Sequence, residues 1–283
     1  MITQTANFER IRRLIQCQRL IRLAQNPTNV RYVKEACARI GLKAGDRVID
    51  IGCGPAGALL PLAEVVGPSG MVVGLDRNDD VVNLARQVVT QRGLDQVKIV
   101  HADLDEFGEQ HGYPDGSFDA AYCRLVLFNQ RDPAAMLQRI AATVRPGGYV
   151  VAHEVLDDPD YPRFEPPVPG FSKFRHWFNE CLRQQGRSPG VARMLSTLAE
   201  EAGLREISRQ GLIDANLASA VDFIQEQGLN LLLVFKPSIL LYGLATADEI
   251  EALAAEFRKA TAVSYKFFLS WIMVEWIAQK PEQ

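Results

Sequence analysis

The sequence predicts an α/β fold: a seven-stranded, mostly parallel sheet with helices on both faces and an additional helical cap. Short apolar strands alternate with helical segments from Asp46 to Glu154. The first of these strands runs straight into a glycine-rich turn. Past Val155 the alternation stops, and a proline-rich stretch leads into further helices. Strand–helix alternation of this kind implies βαβ units, parallel pairing and right-handed crossovers.

The elements follow in order. Over residues 8–25, Phe8, Ile11, Leu14, Ile15, Leu20, Ile21 and Leu23 form a broad apolar stripe, with Arg10, Arg12, Arg13, Arg19 and Arg22 between them. This reads as an amphipathic helix, ended by Asn26-Pro27 and followed by a second helix over 29–40. Strands are predicted at 47–51, 71–76, 97–102, 118–123 and 149–154, and helices at 58–66, 79–92 and 133–144. The last of these helices is closed by Arg145-Pro146-Gly147-Gly148, read as a turn. Prolines 159, 162, 166, 167 and 169 mark 157–170 as a loop. Helices are predicted at 172–185, 191–202, 218–227 and 247–262, with strands at 205–213 and 271–278 completing the sheet. The chain thus divides into an N-terminal helix (1–28), a strand–helix core (29–156) and a cap with the last two strands (157–283).

Composition bounds the function classes. The chain has 283 residues, 47% hydrophobic and 23% charged, with a net charge of -3. Those fractions fit a globular protein, and the charge argues against nucleic acid as a partner. Cys17, Cys37, Cys53, Cys123 and Cys181 form no C-x-x-C pair, so neither a zinc site nor any other metal is expected. Dispersed cysteines, no signal-type apolar run and no charge-free stretch long enough to span a bilayer lead to the expectation of a cytoplasmic protein.

The chemistry concentrates around Asp50-Ile51-Gly52-Cys53-Gly54-Pro55-Ala56-Gly57. Gly52, Gly54 and Gly57 match G-x-G-x-x-G, a turn that admits a ligand to the backbone; a nicotinamide site and a plain tight turn share this pattern. Asp76, ending the second strand, is placed to accept both hydroxyls of an adenosine ribose. Asp50 separates the candidate cofactors. A carboxylate just before the loop opposes a pyrophosphate but attracts the ammonium of S-adenosylmethionine.

At this point the chain resembles the class I S-adenosylmethionine-dependent methyltransferases, whose core is Rossmann-like. The glycine loop is similar to their first motif. Gly74-Leu75-Asp76, His101-Ala102-Asp103-Leu104, the stretch from Ser117 to Leu125, and Val144 to Val151 resemble their later motifs, in the same order. The resemblance is strongest to the small-molecule branch, that of quinone and natural-product biosynthesis. It implies that Gly52, Cys53 and Gly54 pack on the methionine portion and that Asp76 holds the ribose. It further implies that Asp103 and the Leu104 amide meet the adenine, and that Arg124 and Leu125 flank the methionine end. The chain departs from the family at Phe128-Asn129-Gln130, where such proteins often carry histidine.

Methyl transfer needs alignment more than acid–base help, and a base only where the acceptor must lose a proton. His153, at the end of the fifth strand, and His176, on a cap helix, are the candidate bases; an ordinary bonded strand-end histidine is the alternative for His153. Aromatic and aliphatic side chains of the cap, among them Phe171, Phe174, Trp177 and Phe267, either line an acceptor pocket or pack as core. The expected activity is methyl transfer from S-adenosylmethionine to an O, N or C nucleophile of a small hydrophobic metabolite, leaving S-adenosylhomocysteine. An RNA or protein methyltransferase, and a cofactor-binding sensor or cyclase without transfer, are the alternatives. The N-terminal helix either covers the site or joins a homo-oligomer.

Overall fold

The computed structural model describes residues 26–282; the helix predicted over 8–25 and its proposed oligomer contact lie outside them. The chain forms two compact units. The larger comprises the described residues up to Leu156, Gly190–Leu212 and the segment from Met273.

In the larger unit, helix α1 (Pro27–Arg39) starts where Asn26 accepts the Thr28 amide, with Pro27 at the position that needs no N–H. The sheet contains β1 (Arg47–Ile51), β2 (Met71–Asp76), β3 (Val97–His101), β4 (Phe118–Arg124), β5 (Val144–Val155), β7 (Arg205–Leu212) and β9 (Met273–Gln279). Their spatial order is β3-β2-β1-β4-β5-β9-β7. The first five are parallel, and β9 runs antiparallel to both β5 and β7. Helices α2 (Leu59–Val66), α3 (Asp79–Gln91), α4 (Pro133–Thr143) and α6 (Leu195–Glu201) complete the unit.

Side-chain alternation explains the burial. Val48, Val72, Ala120, Tyr122, Val151 and Ile277 form one core with α1–α3. The intervening Ile49, Val73, Ala121, Val150 and Trp276 are also buried. Both faces are therefore covered, as near-continuous apolar strands require. Strand order reverses between β1 and β4, and open α/β sheets bind ligands at the strand carboxyl ends beside such a point.

The predicted turn 145–148 is instead the irregular start of β5, where the pairing with β4 shifts between Phe118 and Ala120. The helix predicted at 191–202 divides into a 3-10 turn at Val191–Arg193 and α6.

The second unit comprises Asp157–Pro189 and Ile213–Ile272 among the described residues. It contains α5 (Gly170–Gln184), α7 (Ala220–Phe223), α8 (Leu231–Leu241) and α9 (Ala247–Ala260). A capping box of Thr246 and Glu249 begins α9. Inside the predicted loop, β6 (Arg163–Glu165) pairs antiparallel with β8 (Phe267–Leu269); strands this short leave no periodic signal. The helix predicted at 218–227 is broken into a 3-10 turn, α7 and a π-helical turn, Ile224–Asn230. Phe171 lies 5.3 Å from the Phe164 ring and 4.9 Å from that of Phe257. With Phe174, Trp177 and Phe268 these rings form the unit's own core, whereas Phe267 is exposed.

Candidate active site

The loop after β1 is shaped by its glycines. Gly52 and Gly54 adopt φ of 66° and 56°, the left-handed region that a side chain disfavours. The amides of Gly52 and Cys53 both donate to the Leu75 carbonyl, at 2.7 and 3.0 Å, which ties the loop to the end of β2. A Cβ on Gly52 would stand 2.7 Å from Val126 Cγ2, so this glycine permits a close approach to the turn after β4. A Cβ on Gly54 would meet nothing within 4 Å: the backbone there faces open space. Cys53 is buried, and burial followed by the charges of Asp50 and Asp76 pushes its thiol up, which makes it inert.

Asp50 is only 2% exposed, and its Oδ2 has no hydrogen-bond partner. Burial pushes its carboxyl up to about 8, against the pull of Arg124 and reinforced by Asp76. A buried carboxylate oxygen without a partner is costly unless a ligand completes it. A cation suits this position; a phosphate does not. The residues present therefore fit the ammonium end of S-adenosylmethionine.

Asp76 accepts from the Gly54 amide at 3.1 Å through Oδ2 and from Asn78 at 2.9 Å through Oδ1. It lies beside the glycine loop and is half-buried. Asp103, after β3, lies 3.5 Å from Arg77 Nη1 and accepts weakly from the Asp105 amide at 3.4 Å. It thus serves its own turn as well. The Leu104 side chain is buried.

Beyond β4, Arg124 is half-buried and Leu125 takes φ 56°, an unusual conformation for a branched residue. Such strain persists only where the surroundings hold it, and it concentrates at binding sites. The Leu125 amide donates to the His153 carbonyl at 2.9 Å.

His153 is 1% exposed. Its Nδ1 lies 2.9 Å from the Tyr122 hydroxyl and its Nε2 3.2 Å from Glu275 Oε2. Glu275 also accepts from Arg39, at 2.9 and 3.2 Å, and from Gln210 at 3.1 Å. A carboxylate already facing these donors accepts from Nε2–H, which leaves Nδ1 to accept from Tyr122. Burial lowers the His153 pKa, outweighing the Glu275 carboxylate, so the ring is neutral. Both nitrogens are engaged by protein side chains, the arrangement of a bonded strand-end histidine and not of an open base. His176, the other candidate, is exposed on α5 in the second unit.

Sequence reasoning did not single out Glu154 or Glu275. Both are fully enclosed carboxylates in otherwise apolar strands. Their position among apolar neighbours is the one signal by which they stand out in the sequence. Among the described residues, no cluster of side chains that could hold a metal ion occurs, and no helix is long and apolar enough to cross a membrane.

Strand order, with a glycine loop and an acidic end on β2 beside the point where it reverses, defines a Rossmann-like α/β fold. The comparisons narrow this. A family profile described as a methyltransferase domain matches residues 42–184. A demethylmenaquinone methyltransferase of Geobacillus stearothermophilus is 30% identical over 207 residues, covering 73% of this chain and 77% of that protein. The chain belongs to the methyltransferase family. In solved structures its fold is similar to that of the cyclase SpnF (TM-score 0.56, 19% identity, 90% of this chain and 82% of that one). It is also similar to a geranyl diphosphate methyltransferase in complex with S-adenosylmethionine (TM-score 0.56, 13% identity, 89% and 85%).

Proposed function

We propose that this methyltransferase moves the methyl group of S-adenosylmethionine to a small, hydrophobic metabolite. The observation that carries the cofactor assignment is the unpartnered Oδ2 of Asp50, buried behind a glycine loop. The acceptor class is supported by the relatives, which are named for a quinone substrate.

S-adenosylmethionine, when bound, supplies an electrophilic methyl on a sulfonium. The chain's own residues bind and orient it. Asp50 meets the ammonium, and Gly52, Cys53 and Gly54 offer backbone to the methionine portion. Asp76 takes the ribose hydroxyls, and Asp103 with the Leu104 amide takes the adenine. Arg124 and Leu125 border the methionine end. Asp50 also favours positive charge electrostatically, which discriminates against a dinucleotide. His153 contributes by holding Tyr122 and Glu275 in place, so catalysis rests on proximity and exclusion of water.

The test is calorimetric titration with S-adenosylhomocysteine and with NAD, then incubation with methyl-labelled S-adenosylmethionine and an acceptor panel that includes demethylmenaquinone. Binding of S-adenosylhomocysteine alone, and label in a quinone-like acceptor, are the expected results. Uptake of NAD in its place overturns the cofactor; binding without transfer to any panel member overturns the acceptor class.

A further inference from the structure

The end of β5 presents two consecutive acceptors to the turn that leaves β4. The His153 carbonyl takes the Leu125 amide. Glu154 Oε1 then takes the amides of Val126 and Leu127, at 3.0 and 2.7 Å, and Oε2 that of Phe128, at 3.3 Å. Four successive amides are thereby held by two neighbouring residues. The Glu154 side chain is fully enclosed. Val126, Leu127 and Phe128 are themselves buried; enclosing a carboxylate to fasten a turn is expensive, and retaining one implies that the position of this turn matters. The consequence reaches the glycine loop, because Val126 Cγ2 occupies the space that a Cβ on Gly52 would need. Leu125, next in line, is held at positive φ, and Arg124 before it acts on Asp50.

We propose that Glu154 is a positioning residue for cofactor binding: by gathering the amides of Val126, Leu127 and Phe128 it sets the gap between the turn after β4 and the glycine loop. This rests on the S-adenosylmethionine reading above. Glu154 lies on the opposite sheet face from Asp50 by strand alternation and touches no ligand itself.

The full chain, Glu154→Gln and Glu154→Ala are compared by amide hydrogen exchange and by titration with S-adenosylhomocysteine. Glutamine keeps one carbonyl acceptor but turns an N–H2 toward a donor. Glu154→Gln is therefore expected to speed exchange at Phe128 most, while Glu154→Ala exposes all three amides. Strands β1 and β2 keep wild-type protection. Affinity for S-adenosylhomocysteine falls about tenfold, the scale of a lost hydrogen bond to a charged group. Should Glu154→Ala fail to fold, the near-isosteric Glu154→Gln decides. Unchanged exchange at 126–128, or faster exchange there with wild-type affinity, overturns the proposal. Absence of S-adenosylhomocysteine binding in the wild-type chain is the distinct result that overturns the cofactor reading, and the positioning role for cofactor falls with it.

Discussion

Asp76 accepts the amide of Gly54 at 3.1 Å, so the acidic end of β2 grips the glycine loop that it faces. The same carboxylate is the one assigned to the ribose. Its removal therefore loosens the loop and deletes a ligand contact together. Asp76→Ala is expected to weaken S-adenosylhomocysteine binding by roughly 1.5–3 kcal/mol, the cost of a lost charged hydrogen bond. Calorimetry reads this directly; unchanged affinity removes the ribose assignment.

Asp50 makes ligand binding depend on pH. In the free protein its carboxyl is held up at about 8, above the 3.8 of an ordinary aspartate. Between those values the folded chain binds a proton that the unfolded chain has released. Stability of the free protein therefore falls as pH rises from about 4 to about 8 on account of this group. A cationic ligand needs the ionised form, so at neutral pH binding expels a proton. Titrations in two buffers of different ionisation enthalpy should show up to about one proton released per ligand. Asp50→Asn should abolish that release, raise the stability of the free protein at pH 8 by an amount on the order of 1–3 kcal/mol, and weaken binding. Equal proton release in wild type and variant would exclude Asp50 as the ammonium partner.

His153 joins β4 to β9 through Tyr122 and Glu275. Its pKa is depressed, so it resists protonation in the folded state, and stability attributable to it is lost as pH falls below about 6.5, where the unfolded chain takes up a proton. His153→Ala should cost about 2–4 kcal/mol in denaturant unfolding, through lost hydrogen bonds and a cavity. S-adenosylhomocysteine affinity should change by no more than about threefold, since the ring touches no assigned cofactor contact. A large loss of affinity with little loss of stability contradicts this account.

Gly52 combines a left-handed backbone with a missing Cβ beside Val126. Gly52→Ala incurs about 1–2 kcal/mol of backbone strain and must also displace Val126. Thermal unfolding should register the first cost. Reduced S-adenosylhomocysteine affinity should register the second, and Val126→Ala in the same chain should restore part of it. No recovery in the double variant would show that the clash is not what matters.

Much of the sheet was legible before the structure. Residues 47–51 and 71–76 are largely apolar runs that end at or start after a glycine, and 97–101 lies between Asp95 and Asp103; local pattern is enough to mark such strands. The glycine turn after β1 and the positions of Asp50 in β1 and Asp76 at the end of β2 were legible for a related reason: a turn and a strand end are marked by contiguous residues. The three-residue strands β6 and β8, helix α8 with Pro237 inside it, and the broken helix around the π-helical turn were not. These elements are decided by packing against distant residues, which overrides local preference.

The sequence by itself determined the parallel α/β core, the place of the glycine loop and the acidic character of its surroundings, because backbone freedom at glycine and charge at a strand end are local properties. Only the tertiary structure decided what the residues at the end of β5 do. Glu154 is sequentially remote from the turn it holds, as His153 is from Glu275, and whether a carboxylate or an imidazole is open to a ligand or committed to the fold depends on which distant groups the sheet brings against it.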